Sequence, residues 1–142
     1  MSTMSNDPRI DLADRLFGAW SSGDADAPAP YFHPDGVLYD IIGGRYEGWP
    51  AIRAYFANGL TKWPDLVLEP DGFWTNERGV AVRWVMTATV TQPAPFGEQF
   101  VGRQWSSEGM TFLDIQDGLV RLEVDYHDRA AASRSLGIEV PR

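Results

Sequence analysis

Four long strand-like segments in the second half of the chain constrain its fold more than any other feature. They cover residues 66–75, 79–92, 99–115 and 118–127, where β-branched, aromatic and other apolar residues dominate. The three connections between them are short and rich in Asn, Asp, Gly, Gln and Pro, a composition typical of turns. Short turns join neighbouring antiparallel strands, so this half of the chain predicts a sheet.

The start of the chain carries helix signals instead. Asp7 followed by Pro8 is a typical helix start, and apolar residues then recur at helical spacing as far as Trp20. This pattern predicts a helix over 8–21. A short second helix is predicted within 24–34.

A strand, a glycine turn and another helix are predicted next. The strand covers 36–42, a brief second strand follows at 45–46, and Pro50 opens the helix. A closing helix is predicted over 128–136. Helices followed by long strands indicate an α+β fold: a cone-shaped, curved, mixed or antiparallel sheet packed on three to four helices and enclosing an apolar pocket.

Composition excludes several classes of function. A chain of 142 residues predicts one domain, over 7–142, with residues 1–6 disordered. A net charge of −8, with Lys62 as the single lysine, argues against a nucleic-acid or anionic membrane partner. Cysteine is absent, which excludes disulfides and thiolate chemistry. With no signal-peptide pattern and no bilayer-length apolar run, we expect a cytoplasmic location.

Asp40 is the first candidate for a catalytic group. It lies in an apolar strand, directly before the glycine turn and the helix. Burial at such a place would raise the carboxyl pKa toward the range useful for proton transfer. An Asp before glycines also commonly closes a turn, so the local sequence leaves both roles open.

Five motifs in a fixed order resemble the nuclear transport factor 2-like superfamily, and within it the SnoaL-like polyketide cyclases and the ketosteroid isomerases. The likeness covers nearly the whole chain and implies the cone-shaped α+β fold. That fold hosts isomerases, cyclases, dehydratases, epoxide hydrolases and non-enzymatic binders. The motifs are Pro-Asp-Gly-Val-Leu-Tyr-Asp (34–40), Gly-Trp-Pro-Ala-Ile-Arg-Ala-Tyr-Phe (48–56), Gly-Met-Thr-Phe (109–112), Asp-Gly-Leu-Val (117–120) and Asp128 with Leu-Gly (136–137).

The resemblance to ketosteroid isomerases implies that Asp40 is the general base. The two hydrogen-bond donors that stabilise the oxyanion in those enzymes have no counterpart in this sequence, because their positions fall on Leu16 and near Met110. A dienolate without such donors lacks what is usually the largest catalytic contribution. Steroid isomerisation itself is therefore disfavoured, although both positions are expected at the cavity wall.

The resemblance to SnoaL-like cyclases implies a second acid, Asp125, which would act as acid/base in an intramolecular aldol closure. The preceding residue is Val124, where the family has Trp. Strand alternation places Glu123, Asp125 and His127 on one face. Such a charged face is usually solvated; in both families this region lines the cavity, where His127 would orient Asp125 or share its proton.

The cavity wall implied by the isomerase frame consists of apolar side chains, each of which is equally compatible with plain core. Glu108 shares strand parity with Met110 and is either a polar pocket group or a glutamate on the rim or dimer surface. No histidine spacing indicates a metal site and no nucleotide or hydrolase motif occurs, so neither metal nor cofactor is predicted. The implied wall residues are Phe32, Tyr55, Phe56, Val82, Trp84 and Met86.

Two functions from different classes stay open. The first is a cofactor-independent acid/base enzyme, a cyclase, isomerase or dehydratase, in which Asp40, Asp125 and His127 transfer protons on a small, largely apolar carbonyl substrate such as a polyketide, steroid or terpenoid. The second is a non-catalytic small-molecule binder of the same fold. A homodimer through the outer sheet face is expected, since Trp105 points outward if Glu108 points inward.

Overall fold

The computed structural model describes residues 7–141, which form one six-stranded sheet and three α-helices. Two single 3₁₀ turns, Ala29–Tyr31 and Glu98–Phe100, lie in the connections. In chain order the elements are α1 (Pro8–Trp20), β1 (Phe32–Asp40), β2 (Gly44–Glu47), α2 (Trp49–Lys62), β3 (Val67–Thr75), β4 (Gly79–Thr89), β5 (Gln104–Gln116), β6 (Leu119–His127) and α3 (Ala131–Ser135).

The strand order across the sheet is β2-β1-β6-β5-β4-β3. Every neighbouring pair is antiparallel except β1 and β6, which run parallel and make the sheet mixed. The predicted α+β fold is thereby confirmed. The parallel pair matters for function because its register sets Asp40 directly beside Asp125.

Helix α1 begins where the sequence predicts it. The Asp7 carboxylate accepts a hydrogen bond from the backbone N–H of Arg9 at 2.9 Å, and Pro8 occupies the first helical position. The apolar face of α1 packs against the sheet together with α2, and the core lies between these helices and the inner sheet face. Leu16 belongs to that core and is fully buried.

A second apolar cluster lies under α3 at the other end of the sheet. Trp105 is only 4% exposed there, with its ring 5.2 Å from that of Trp63. The prediction of an outward Trp105 is therefore wrong. Thr111 is buried on the inner face, so alternation along β5 sends Glu108 outward, where its side chain is 68% exposed and lies 3.5 Å from Arg83.

Element boundaries depart from the predictions mainly at three places. The closing helix is shorter than 128–136, and the segment 24–34 holds a single 3₁₀ turn instead of an α-helix. The strand predicted over 99–115 begins at residue 104, because the 3₁₀ turn and Gly102, whose φ is +91°, redirect the chain before it. The disorder predicted for 1–6 falls outside the described residues. None of the described helices is long and apolar enough to cross a membrane.

Candidate active site

A cavity of about 300 Å³ lies between the inner sheet face and helices α1 and α2. Its volume is at the lower end of the range typical of small-molecule sites. Three carboxyl groups and one imidazole, those of Asp40, Glu123, Asp125 and His127, line it beside a mostly apolar wall. The large apolar and aromatic residues of the wall are Phe17, Trp20, Leu38, Tyr55, Phe56, Trp63, Leu66, Leu68, Trp84, Met86 and Trp105.

Strand register brings the four groups together. Glu123, Asp125 and His127 alternate along β6, and the parallel neighbour β1 contributes Asp40 beside Asp125. The usual pattern of apolar residues inside and polar residues outside is reversed on this strand. Glu123 is 3% exposed and faces inward, whereas Tyr126 is 52% exposed on the outer face.

Asp40 closes the turn after β1 and lines the cavity at the same time. Its Oδ1 accepts hydrogen bonds from the backbone N–H of Ile42 at 2.9 Å and of Gly43 at 3.0 Å, and its Oδ2 accepts one from the Tyr55 hydroxyl at 3.2 Å. His127 Nε2 lies 2.9 Å from Oδ1. The two roles that the local sequence left open are therefore both compatible with this geometry.

The pKa of Asp40 lies below its usual value, so the expectation of a raised pKa is wrong. Burial alone would raise it, but the hydrogen bonds from His127 and from the backbone of Gly43 and Ile42 favour the carboxylate and outweigh burial. Asp40 is therefore ionised and held in place, which makes it a weak proton acceptor.

His127 titrates in the opposite direction. Its hydrogen bond to Asp40 raises the imidazole pKa above the usual value, against the effect of burial. Nε2 is engaged by Asp40, while Nδ1 has no hydrogen-bond partner in the described part of the chain. The second nitrogen is thus available to exchange a proton with a ligand.

Asp125 and Glu123 form a second pair of titratable groups. Burial raises the pKa of both carboxyls, and that of Glu123 lies well above its usual value because the Asp125 charge adds to the burial. The two side chains are hydrogen-bonded to each other. Since two adjacent carboxyls with little access to water do not both ionise readily, Glu123 keeps its proton and donates a hydrogen bond to Asp125.

Indole and hydroxyl donors hold this acid pair. Thr111 Oγ1 donates to Asp125 Oδ1 at 2.7 Å, and Trp84 Nε1 donates to Thr111 Oγ1 at 2.9 Å. On the other side, Trp20 Nε1 donates to Glu123 Oε1 at 3.2 Å. Each acid is thus fixed by a hydrogen bond from a side chain of a different element.

Tyr55 depends on Gly43 to reach Asp40. A Cβ at position 43 would collide with the Tyr55 hydroxyl, so only glycine leaves the required space. The ring of Tyr46 stacks on Tyr55 with a centroid distance of 4.2 Å. Burial and the Asp40 charge raise the pKa of Tyr55, which therefore keeps its proton and remains a donor to Asp40.

Not all residues of the predicted wall reach the cavity. Tyr55, Phe56, Trp84 and Met86 line it. Leu16, Phe32 and Val82 do not: they lie in the core cluster, where they are enclosed by other side chains. Met110 and Glu108 do not either, because the parity of β5 turns them to the outer face.

Thr111, Asn58 and Lys62 were not among the predicted cavity residues, and Glu123 was placed on the face of Asp125 without being named as a site residue. For Glu123 the signal was present, since it shares the face of Asp125 at a spacing of two. Thr111 could have been found only from the pairing of β5 with β6. Within residues 7–141, no group of three or more His, Asp or Glu side chains is arranged to hold a metal ion.

Comparison with known proteins places the chain in a family. A family model for the SnoaL-like domain matches residues 13–123. AclR from Streptomyces galilaeus, a protein provisionally assigned as a hydroxylase, is 25% identical, with a TM-score of 0.75 over 94% of this chain and 97% of that one. No curated protein sequence matches.

Two further solved structures are similar in fold. One from Acidithiobacillus ferrooxidans, provisionally assigned as a polyketide cyclase, is 21% identical with a TM-score of 0.82 over 96% of this chain and 98% of that one. IdmH from Streptomyces antibioticus, also provisionally assigned as a polyketide cyclase, is 17% identical with a TM-score of 0.80 over 92% and 99%. The predicted resemblance is confirmed: the chain belongs to the SnoaL-like domain family of the nuclear transport factor 2-like superfamily.

Proposed function

We propose that the protein is a cofactor-independent acid/base enzyme, a cyclase, isomerase or dehydratase, acting on a small, largely apolar carbonyl compound such as a polyketide, steroid or terpenoid. The observation that carries the proposal is that the Asp40–His127 pair and the Glu123–Asp125 pair line one apolar cavity. Titratable groups whose pKa values are shifted in opposite directions are typical of acid/base sites. Two proteins of similar fold that are provisionally assigned as polyketide cyclases support the same class of chemistry.

Asp125 is the group best suited to act as base. Burial raises its pKa, which makes its carboxylate a stronger proton acceptor than an ordinary Asp. Asp40 has a lowered pKa and four hydrogen-bond donors around it, so its role is to orient and charge His127. The sequence suggested Asp40 as the general base and His127 as the orienting group, whereas in this proposal Asp125 is the base and Asp40 orients His127.

His127 would supply the acid, with Glu123 in a supporting role. A protonated His127 can donate from Nδ1 to a substrate carbonyl oxygen, and its charge would stabilise the enolate that forms. Glu123 keeps a proton beside Asp125 and so limits the negative charge of the acid pair. His127 thus offers the hydrogen-bond donation that positions 16 and 110 lack.

The proposed first step moves two protons. A C–H bond next to the carbonyl breaks, its proton goes to Asp125, and the electron pair forms the enol double bond. The carbonyl oxygen takes the Nδ1 proton of His127. Return of the Asp125 proton at another carbon, while the enol oxygen gives its proton back to His127, gives an isomer. Attack of the enol carbon on a second carbonyl closes a ring when the electron pair of that carbonyl moves to its oxygen, this oxygen takes the Asp125 proton, and the enol proton returns to His127.

The experiment uses 2-tetralone, a small apolar ketone, in D₂O. We expect the protein to accelerate exchange of the protons next to the carbonyl, followed as loss of their NMR signal. The double variant Asp125→Asn, His127→Gln serves as the comparison and should return the rate to that of buffer. Equal rates with wild-type protein and with the double variant would contradict the proposal and leave the non-catalytic binder.

A homodimer through the outer sheet face is also proposed. Met110 and Tyr126 are opposite each other on β5 and β6, and both are exposed apolar side chains. We expect Tyr126→Glu to lower the sedimentation mass to that of one chain, whereas Ile41→Glu, at another exposed apolar position, should not. A wild-type mass near 15.9 kDa at micromolar concentration would refute the dimer.

A further inference from the structure

The cavity opens beside the C-terminal end of α2. Among its described lining residues, Asn58 and Lys62 are exposed to solvent, whereas the acids at the other end are buried or half-buried. The four titratable groups of the proposed active site lie away from this opening, on β1 and β6. A ligand that fills the cavity therefore has one end at the acids and the other at the end of α2.

The length of α2 sets the distance between these ends. Tyr55, which donates to Asp40, and Lys62 are seven residues apart on one helix. Seven residues are two helical turns, which place both on the same face about 10 Å apart along the axis. A molecule that spans this distance has the length of two to three fused six-membered rings.

Charge distinguishes the two ends. The acid end carries Asp40, Glu123 and Asp125, whereas Lys62 is the chain's single lysine and stands at the opening. No described carboxylate lies within salt-bridge distance of Lys62, and the Asn58 side chain has no hydrogen bond to described residues. A position in the last helical turn favours a lysine by itself, but it does not explain why the side chain stands over the cavity.

We propose that the substrate carries an oxyanion, a carboxylate or an ionised phenol, at the end opposite its reacting carbonyl and about 10 Å from the end that lies near Tyr55, and that Lys62 binds this group at the opening. Asn58, one turn before Lys62, provides an amide N–H for the same group. The inference deepens the proposed function, since it names the substrate as an acidic polycyclic carbonyl compound. The predicted binding of the oxyanion by Lys62 can be measured without any reaction.

The test compares the affinities of two planar ketones of suitable length, anthraquinone-2-carboxylate and its carboxamide. Binding is followed by quenching of tryptophan fluorescence, because Trp20, Trp63, Trp84 and Trp105 line the cavity. We expect wild-type protein to prefer the carboxylate about tenfold, with the preference falling as salt rises. A second pair, 2-hydroxyanthraquinone and 2-methoxyanthraquinone at pH 8.5, tells whether a phenolate is accepted as well.

Three variants complete the experiment. Lys62→Gln should abolish the preference for the carboxylate, and Lys62→Arg should keep it. Arg45→Gln removes the same charge outside the cavity lining and should also keep it. An equal preference for the carboxylate in wild-type protein and in Lys62→Gln would overturn the inference. So would failure of anthraquinone-2-carboxylate and its carboxamide to bind at millimolar concentration.

Failure of the inference can be told apart from failure of the proposed function. The exchange assay uses 2-tetralone, which has no acidic group, so it does not depend on recognition of an oxyanion. A Lys62-dependent preference without exchange by wild-type protein would indicate a binder of acidic polycyclic ligands. Exchange without that preference would indicate the proposed chemistry on a neutral substrate.

Discussion

Replacement of Asp125 by Asn should lower the rate of 2-tetralone exchange by about two to four orders of magnitude, the usual contribution of a positioned general base. Asn has the same shape and can still accept the Thr111 hydrogen bond through its Oδ1, so the fold should persist. It cannot accept the substrate proton. Affinity for the ketone should change little, because the lost interaction belongs to the transition state.

The matched comparison is Asp40→Asn, which should act through His127. Removal of the Asp40 charge removes the largest cause that raises the His127 pKa, so the imidazolium should lose its proton at a lower pH. We therefore expect the alkaline limb of the rate profile to move to lower pH in Asp40→Asn. A loss in Asp40→Asn that equals that of Asp125→Asn and leaves the limb unmoved would make Asp40 the base.

The free energy of unfolding of the Glu123→Gln variant should increase, relative to that of wild-type protein, as the pH rises. The pKa of Glu123 is raised on folding, so the stability that its protonated form contributes is present below the unfolded pKa of about 4.5 and is lost toward the higher folded pKa. A glutamine side chain has no such proton to lose. The wild-type free energy of unfolding should therefore fall behind that of the variant by up to about 1.4 kcal/mol per pH unit across this window.

Urea denaturation at pH 5 and pH 8 measures the effect. Glu108→Gln is the control, since Glu108 is exposed on the outer sheet face and should show no widening gap between these pH values. In the Glu123→Gln variant, the new amide can still accept from Trp20 and donate to Asp125, which preserves the packing. A gap that stays constant from pH 5 to pH 8 would mean that Glu123 is ionised in the folded protein.

The order of elements could be predicted because each carries its own local signal. Asp7 and Pro8 mark the start of α1, and the turn residues separate the strands at nearly the right positions. The faces of β5 were harder, because large residues occur at both parities of this strand. The prediction assigned the wrong parity to β5, and this one error placed Glu108 on the inner face and Trp105 on the outer face.

The pKa values of the site could not be predicted from the local sequence, for a different reason. The pKa of Asp40 depends on His127, which is 87 residues away in sequence and meets it only through the parallel pairing of β1 with β6. A strand of apolar residues suggested desolvation alone, and desolvation is indeed present. The hydrogen bonds that outweigh it come from a turn and a distant strand, neither of which the apolar pattern reveals.

The fit of Tyr55 against Gly43 gives α2 a mechanical role. One helix carries the contact to Asp40 near its middle and the opening residue Lys62 at its end, so a tilt of α2 would change the depth of the cavity and the setting of Asp40 together. If the cavity binds the proposed substrate, substitutions beyond Tyr55 would alter the length of ligand accepted while the acids stay in place. In a lineage of related proteins, new specificity would then arise most readily in the last two turns of this helix.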